Sequence, residues 1–258
     1  NSMPPHGRPL TIHCATTAPL EPSVPDAVLR PTGGTVHIWY ATLLELRPRL
    51  AEFSDLLDPE EQERAQRFRF DTDRERYVLG HGLLRVLLGR YLTQEPASIR
   101  MARGRFGKPY VEGSDLHFSF SDTKDAILVA FATGAETGAD IETMHRKVDH
   151  EGVSGHFFTG SEVGAITAAG PNAKRRFLEF WTRKEAVLKA SGTGIMDDLH
   201  SLRVDQDINE LTIRHPEFVA MAAPLYHVQT WQVGADHIVS MASPQQRWEV
   251  KAWNAIEV

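Results

Sequence analysis

The chain has 258 residues, 28 Lys and Arg against 34 Asp and Glu, and a formal net charge of -6. That balance argues against a strongly basic nucleic-acid binder, and no apolar run approaches the ~20 residues that span a bilayer, so neither nucleic acid nor membrane is an expected partner. The single cysteine, Cys14, excludes an intramolecular disulfide and fits a reducing cytoplasm. Asn1 and Ser2 ahead of Met3 read as a cloning scar. Residues 1–33 carry Pro4, Pro5, Pro9, Pro19, Pro22, Pro25 and Pro31. Proline removes backbone donors and disfavours helix at the preceding residue, so this arm is expected to be irregular.

Order is expected from Gly34. Thr35 to Tyr40 is β-branched and aromatic, as strands prefer. Asp58-Pro59-Glu60-Glu61 opens a helix with a capping aspartate, a proline at the first helical position and acids at the positive end. Asp71 precedes a second helix, in which Tyr77, Leu84, Leu87, Leu88 and Tyr91 recur at helical spacing to Leu92. Strands are predicted at Ile99–Ala102, after the Gly107-Lys108-Pro109 turn, and at Leu116–Ser121, Ala126–Phe131 and Thr137–Glu142. Helices follow at Ser161–Ala169 and Lys174–Ala190, then strands near 200–204, 210–214, 226–232 and 236–241. Each half thus reads strand, helices, strands. The pattern predicts an α+β fold of two pseudo-symmetric lobes, 34–132 and 133–258, with a ligand cleft between them.

Three groups of residues invite chemistry. Asp140 and Glu142 are two apart on a strand, so both carboxylates face one way. A divalent cation would relieve their repulsion, and oxygen ligands suit magnesium; the same pattern also suits a solvated face. Glu185 and Lys189 lie one helical turn apart within Trp181 to Ala190. They read either as a surface ion pair or as a carboxylate for a metal or proton beside a cation for phosphate, with Lys184 adding a further cation. Gly192 suits a helix C-terminal cap. Lys108, in its glycine-proline turn, is a point charge suited to phosphate or simply a solvated lysine.

Taken in order, Gly107-Lys108-Pro109, Phe118-Ser119-Phe120-Ser121, Gly138-Ala139-Asp140-Ile141-Glu142 and Trp181 to Ala190 resemble the 4'-phosphopantetheinyl transferases, in the larger two-lobed (Sfp-type) form. The resemblance runs from about residue 36 to 241 and includes Asp58 to Glu61 with Arg64, Arg67 and Phe68. It implies transfer of the phosphopantetheine arm of coenzyme A to a serine of an apo acyl or peptidyl carrier protein, with magnesium. It further implies metal ligation by Asp140, Glu142 and Glu185, with Glu185 also the base. Lys189 would hold the diphosphate with help from Lys184, and Arg64, Arg103 and Lys108 would contact the nucleotide end. Ser121 matches the serine of the family's Asn-x-Ser-His-Ser motif, whose histidine contacts the 3'-phosphate. Here Ser119, Asp122 and Thr123 replace the asparagine, the histidine and the last serine. Charge therefore predicts that Asp122 turns from the phosphate or is neutralised by Arg64, Arg103 or Lys108. Lys174, Arg175, Arg176 and Arg183 read either as a basic face of which some residues steer an acidic carrier, or as a solvated helix face. A monomer suffices, because the implied site is complete within one chain. Two other readings stay open: a non-catalytic carrier-binding module of the same fold, and a magnesium-dependent hydrolase of nucleotide diphosphates.

Overall fold

The computed structural model describes residues 7–24, 30–148, 155–194 and 199–258. Asn1, Ser2, Met3, Pro4, Pro5 and Pro25 lie outside the described residues. The architecture is α+β with two sheet-containing lobes. A four-stranded sheet has the order β11 (Glu249–Asn254), β2 (Thr35–Thr42), β6 (Ala126–Thr133), β5 (Leu116–Asp122). A five-stranded sheet has the order β7 (Gly138–Thr143), β10 (His237–Pro244), β9 (Leu225–Val233), β1 (Arg8–Thr16), β8 (Ile208–Ile213). The hairpin β3 (Ala102–Arg103) and β4 (Pro109–Tyr110) stands apart. None of the described helices is long and apolar enough to cross a membrane.

The layers follow from which faces are apolar. Val36, Ile38, Leu128 and Ala130 of the first sheet share one core with Ile141, Trp231, Val239 and Met241 of the second, so the sheets pack face to face. Helix α4 (Asp71–Leu92) covers the outer face of the first sheet through Leu79, Leu83, Leu87 and Leu88. Ahead of it lie α1 (Leu43–Leu46), α2 (Leu50–Leu56) and α3 (Pro59–Gln66). Asp58 and Glu61 close a capping box on α3. The fully buried Arg85 of α4 then binds Glu61 Oε2 at 2.7 Å and Asp58 Oδ2 at 2.8 Å, pinning α3 to α4. Helix α5 (Gly160–Ala168) precedes α6 (Ala173–Ser191), which covers the second sheet with Phe177, Phe180, Val187 and Leu188. A short α7 (Pro216–Met221) follows β8.

Three expectations are corrected here. The arm 1–33 is not irregular throughout: Arg8–Thr16 forms β1, inside the second sheet between β9 and β8. Pro9 sits at the start of the strand, where a missing donor is tolerated, while Leu10, Ile12 and Cys14 alternate into the core. No strand forms at 200–204; a 3-10 turn spans Leu199–Ser201 instead. Side chains take two carbonyls at the ends of this stretch, Leu199 by Lys184 Nζ at 3.1 Å and Val204 by Arg183 at 2.9 Å. The segment predicted as strand at 99–102 contributes only Ala102 to a strand.

Candidate active site

Gly138 sets the site. A Cβ on it would lie 2.0 Å from the Ala186 carbonyl oxygen and 2.3 Å from Ala190 N. Only glycine therefore lets β7 approach the last turns of α6 this closely. That approach brings Asp140 and Glu142 of β7 against Glu185 and Lys189 of α6. Along α6, Trp181, Glu185 and Lys189 form a partly exposed stripe at four-residue spacing between buried neighbours. Gly192, at φ +76°, ends the helix, its N–H donating to the Leu188 carbonyl at 3.0 Å.

The other side of β7 is an open sheet edge, and β5 is the edge of the other sheet. Ser119 and Ser121 of β5 close the gap: their Oγ atoms accept from the Ala139 and Ile141 backbone N–H groups, each at 3.1 Å. Ser121 also donates to Asp140 Oδ1 at 3.0 Å. Its hydroxyl is thus engaged with β7 and the acid cluster.

Asp140 is 6 % exposed. Oδ1 also takes Lys189 Nζ at 2.8 Å, whereas Oδ2 is buried without a hydrogen-bond partner. Glu142 is bound by Arg146 and, at 3.4 Å, by Thr123 Oγ1. Burial first, and the Asp140 charge second, push the Glu142 carboxyl up to about 7 against the opposing pull of Arg146. Glu185 rises to about 7 for the same two reasons, with Glu142 adding repulsion and Lys189 opposing it. An orphaned carboxylate oxygen beside two carboxyls that resist ionisation is a site short of positive charge. An all-oxygen set of this kind fits a hard divalent cation. Among the described residues, no three such ligands already converge on one point. A cation here would complete its shell with water and substrate oxygens, as magnesium does.

A cleft of about 320 Å³ opens beside this cluster, with Lys189, Gly192 and Gly194 at one end and Arg64, Arg103 and Lys108 among its walls. Tyr77, Leu84, Met101, Phe118 and Phe120 give it an apolar face. A neighbouring cavity of about 260 Å³ shares Arg64, Tyr77 and Arg103 and adds Arg76 and Asp122.

The residues expected to hold the donor divide into three groups. Arg64 and Arg103 reach the cleft wall, Arg64 lying over the Tyr77 ring at 5.9 Å and Arg103 bonding the Gly107 carbonyl at 3.0 Å. Lys108 lines the cleft, but its ammonium donates to Glu136 at 2.5 Å, the Thr137 carbonyl at 2.8 Å and the Lys189 carbonyl at 2.9 Å. All three donors are used, and the lysine ties the hairpin to β7 and α6. Lys184 is not in the cleft: it is fully buried on the core face of α6, paired with the equally buried Glu162 of α5 at 2.8 Å. Its helical neighbours Phe177, Phe180 and Val187 are core residues, and that spacing was the signal for its burial.

Asp122 is neutralised by a residue outside the expected set: Arg76 Nε lies 3.1 Å from Oδ2. Burial still holds the Asp122 carboxyl above its usual range against the pull of Arg76. Arg76 was findable, because it lies one residue before Tyr77 on the α4 face turned to β5. Arg183 leaves the proposed basic docking face: it is buried and bonded to Thr230, Val204 and Thr16. Arg175 and Arg176 are partly spent on Glu179, at 3.4 and 3.1 Å. Glu136, His81 and Arg146 were not anticipated.

Comparison with known proteins agrees with this geometry. Residues 45–134 match the family profile described as 4'-phosphopantetheinyl transferase, N-terminal, and 136–242 match that of the 4'-phosphopantetheinyl transferase superfamily. The chain is 33 % identical over 165 residues to the 4'-phosphopantetheinyl transferase HetI of Nostoc sp., covering 62 % of this chain and 70 % of that protein. It is 26 % identical over 217 residues to a putative 4'-phosphopantetheinyl transferase of Synechocystis sp., covering 82 % and 85 %. With a 4'-phosphopantetheinyl transferase of Bacillus subtilis it shares 29 % identity over 161 residues, 61 % and 70 % of the two chains. With the acid cluster, the lysine and the two-lobed cleft in the matched segments, the chain belongs to the 4'-phosphopantetheinyl transferase superfamily.

Proposed function

We propose that this chain transfers the 4'-phosphopantetheine arm of coenzyme A to a serine of an apo acyl or peptidyl carrier protein. The observation that carries the reading is the buried, unpartnered Asp140 Oδ2, set between two proton-retaining carboxyls and Lys189 at the mouth of a cleft. In the reaction the serine Oγ attacks the β-phosphorus of coenzyme A. A new Oγ–P bond forms, the bond to the bridging diphosphate oxygen breaks, and adenosine 3',5'-bisphosphate leaves with that oxygen.

Glu185, poised near neutrality, is the group to take the serine proton. Lys189 spends donors on Asp140 and the Ala139 carbonyl, and retains capacity for a diphosphate oxygen. Arg64 and Arg103 supply positive charge for the nucleotide end, and Lys108 holds the wall between them and α6. Magnesium, held by Asp140, Glu142 and Glu185, would offset charge on the diphosphate. The cleft residues all come from one chain, so a monomer suffices. Coenzyme A and apo carriers are cytoplasmic reactants, and the proposal places the reaction there.

The test is mass spectrometry of apo acyl and apo peptidyl carriers after incubation with coenzyme A, magnesium and the protein. A carrier heavier by the arm supports transfer. Cleavage of coenzyme A with unmodified carrier favours a hydrolase, and intact reactants with carrier binding favour a non-catalytic module.

A further inference from the structure

His81 lies on α4 one turn after Tyr77 and lines both the main cleft and its neighbour. The two rings stack with centroids 3.9 Å apart and an interplanar angle of 26°, and Phe120 of β5 lies 5.5 Å from the imidazole. Nδ1 is 3.0 Å from the Tyr77 carbonyl oxygen. A carbonyl only accepts, so Nδ1 carries the hydrogen. Burial, the largest influence on the ring, lowers its pKa and favours the neutral form. A neutral imidazole with its hydrogen on Nδ1 keeps a lone pair on Nε2. The Nδ1 bond turns that side of the ring to its own helix and leaves the opposite edge, Nε2, for the cleft. Nε2 has no hydrogen-bond partner among the described residues.

The cleft around His81 is suited to a flat, uncharged group. Leu84, Met101, Phe118 and Phe120 line it beside His81 and Tyr77, and the acids in its lining include Asp58 and Glu61, already paired with Arg85, and Glu60. The cations of the lining are Arg64, which lies over the Tyr77 ring, Arg103, Lys108 and Lys189. A nucleotide therefore sets its phosphates toward the lysine and its base against the aromatic wall, while the arm runs out to the carrier. We propose that His81 Nε2 reads the nucleobase of the donor, accepting a hydrogen bond from an exocyclic amino group, and so selects adenine over a 6-oxopurine. This rests on the coenzyme A reading above. A 6-oxopurine presents a carbonyl oxygen at that position, lone pair against lone pair.

Calorimetric titration of the whole protein with adenosine 3',5'-bisphosphate and with inosine 3',5'-bisphosphate tests this without any transfer step. An unmet buried polar group costs about 1–3 kcal/mol, so the adenosine nucleotide should bind roughly tenfold or more tightly. His81→Phe keeps the stack on Tyr77 and deletes the acceptor; it should bring the two affinities close to equal. His81→Gln, whose amide oxygen accepts, should restore part of the preference, with circular dichroism checking the fold of each variant. Equal affinities in the unmodified protein, or an unchanged preference in folded His81→Phe, overturn the inference. If arm transfer is observed while the affinities are equal, His81 is not the reader and the transferase reading stands. If the preference depends on His81 but no carrier gains the arm, the inference holds and the transferase reading falls. Failure to bind either nucleotide overturns both.

Discussion

Asp140→Asn is the sharpest perturbation of the acid cluster, because it removes one charge and almost no volume. In the unmodified protein Oδ1 is paired with Lys189 at 2.8 Å and Oδ2 has no partner. Without a divalent cation, two effects oppose each other. Loss of the partly exposed Lys189 pair costs about 1 kcal/mol, between the values for surface and buried pairs. Relief of repulsion opposes this: Glu142 and Glu185 are both raised to about 7, chiefly by burial and secondarily by Asp140. The chelated variant should therefore melt within a few degrees of the unmodified protein. With magnesium at about a hundredfold its dissociation constant, the unmodified protein gains about 2.7 kcal/mol, roughly 5–10 °C for a chain of this size. The variant should gain little and transfer almost no arm. Thermal melts with chelator and with excess magnesium, beside the carrier mass assay, measure both effects. A folded Asp140→Asn protein with a full magnesium shift and near-normal turnover at limiting magnesium would refute the cation site.

Three further perturbations read other parts of the molecule. The Tyr91 hydroxyl accepts from Trp39 Nε1 at 2.9 Å and lies 2.7 Å from His37 Nδ1, where a neutral ring can accept its proton. Burial depresses the His37 pKa from 6.5 to about 4. Below pH 6.5 the unfolded chain binds a proton that the folded chain refuses, so this residue's share of stability is lost as pH falls from about 6.5 to about 4. Urea unfolding of the unmodified protein and His37→Gln across that range should differ in slope; parallel curves would count against it. Lys184→Met strands Glu162 in the core and should cost about 3–5 kcal/mol, with Lys184→Met/Glu162→Gln recovering most of it and leaving the KM for coenzyme A unchanged. A raised KM in the double variant would return Lys184 to the donor site. Lys108→Met should lower kcat about tenfold through displaced geometry and move the KM for coenzyme A little, whereas a direct phosphate contact would raise KM.

Much of this was legible wherever burial has one period. Helix α4 and helix α6 announced themselves by apolar residues three and four apart, and β2, β5, β6 and β7 by composition and alternation. The carboxylates and Lys189 also came together as the spacing required. Failures came where a residue answers to a distant partner. The prolines of the N-terminal arm outweighed the alternation of Leu10, Ile12 and Cys14, because the strands that satisfy β1 lie about 200 residues away. Lys184 and Glu185 are adjacent in sequence yet lie about 100° apart around the helix: one meets Glu162 in the core and the other joins Asp140 and Glu142 in the acid cluster. Charge alone marked both as candidates, and only the apolar stripe separates them. Asp122 was expected to need a cation, but the choice of Arg76 over Arg64 depends on how α4 lies across β5.

The pairing of the chain ends bears on how the cleft keeps its shape. Strand β1, from the start of the chain, completes the sheet of the second lobe, and β11, from the other end, pairs in parallel with β2 of the first. The chain therefore crosses between the lobes near both of these strands, and separating the lobes would expose the shared apolar core. Two polar seams reinforce this. Ser119 and Ser121 bind the open edge of β7, and Tyr40 of one sheet bonds His237 of the other at 2.8 Å, which in turn bonds Asp125 at 2.8 Å. Asp125 also accepts from Thr143 at 3.1 Å, the residue after Glu142. Both seams end on β7, the strand that carries Asp140 and Glu142. Acidic groups crowded between an edge strand and a helix would push that strand away if it were free to move. The edge stays closed because each lobe contributes side chains that hold β7, so the carboxyls stay buried together and their pKa values rise, through burial first and mutual repulsion second.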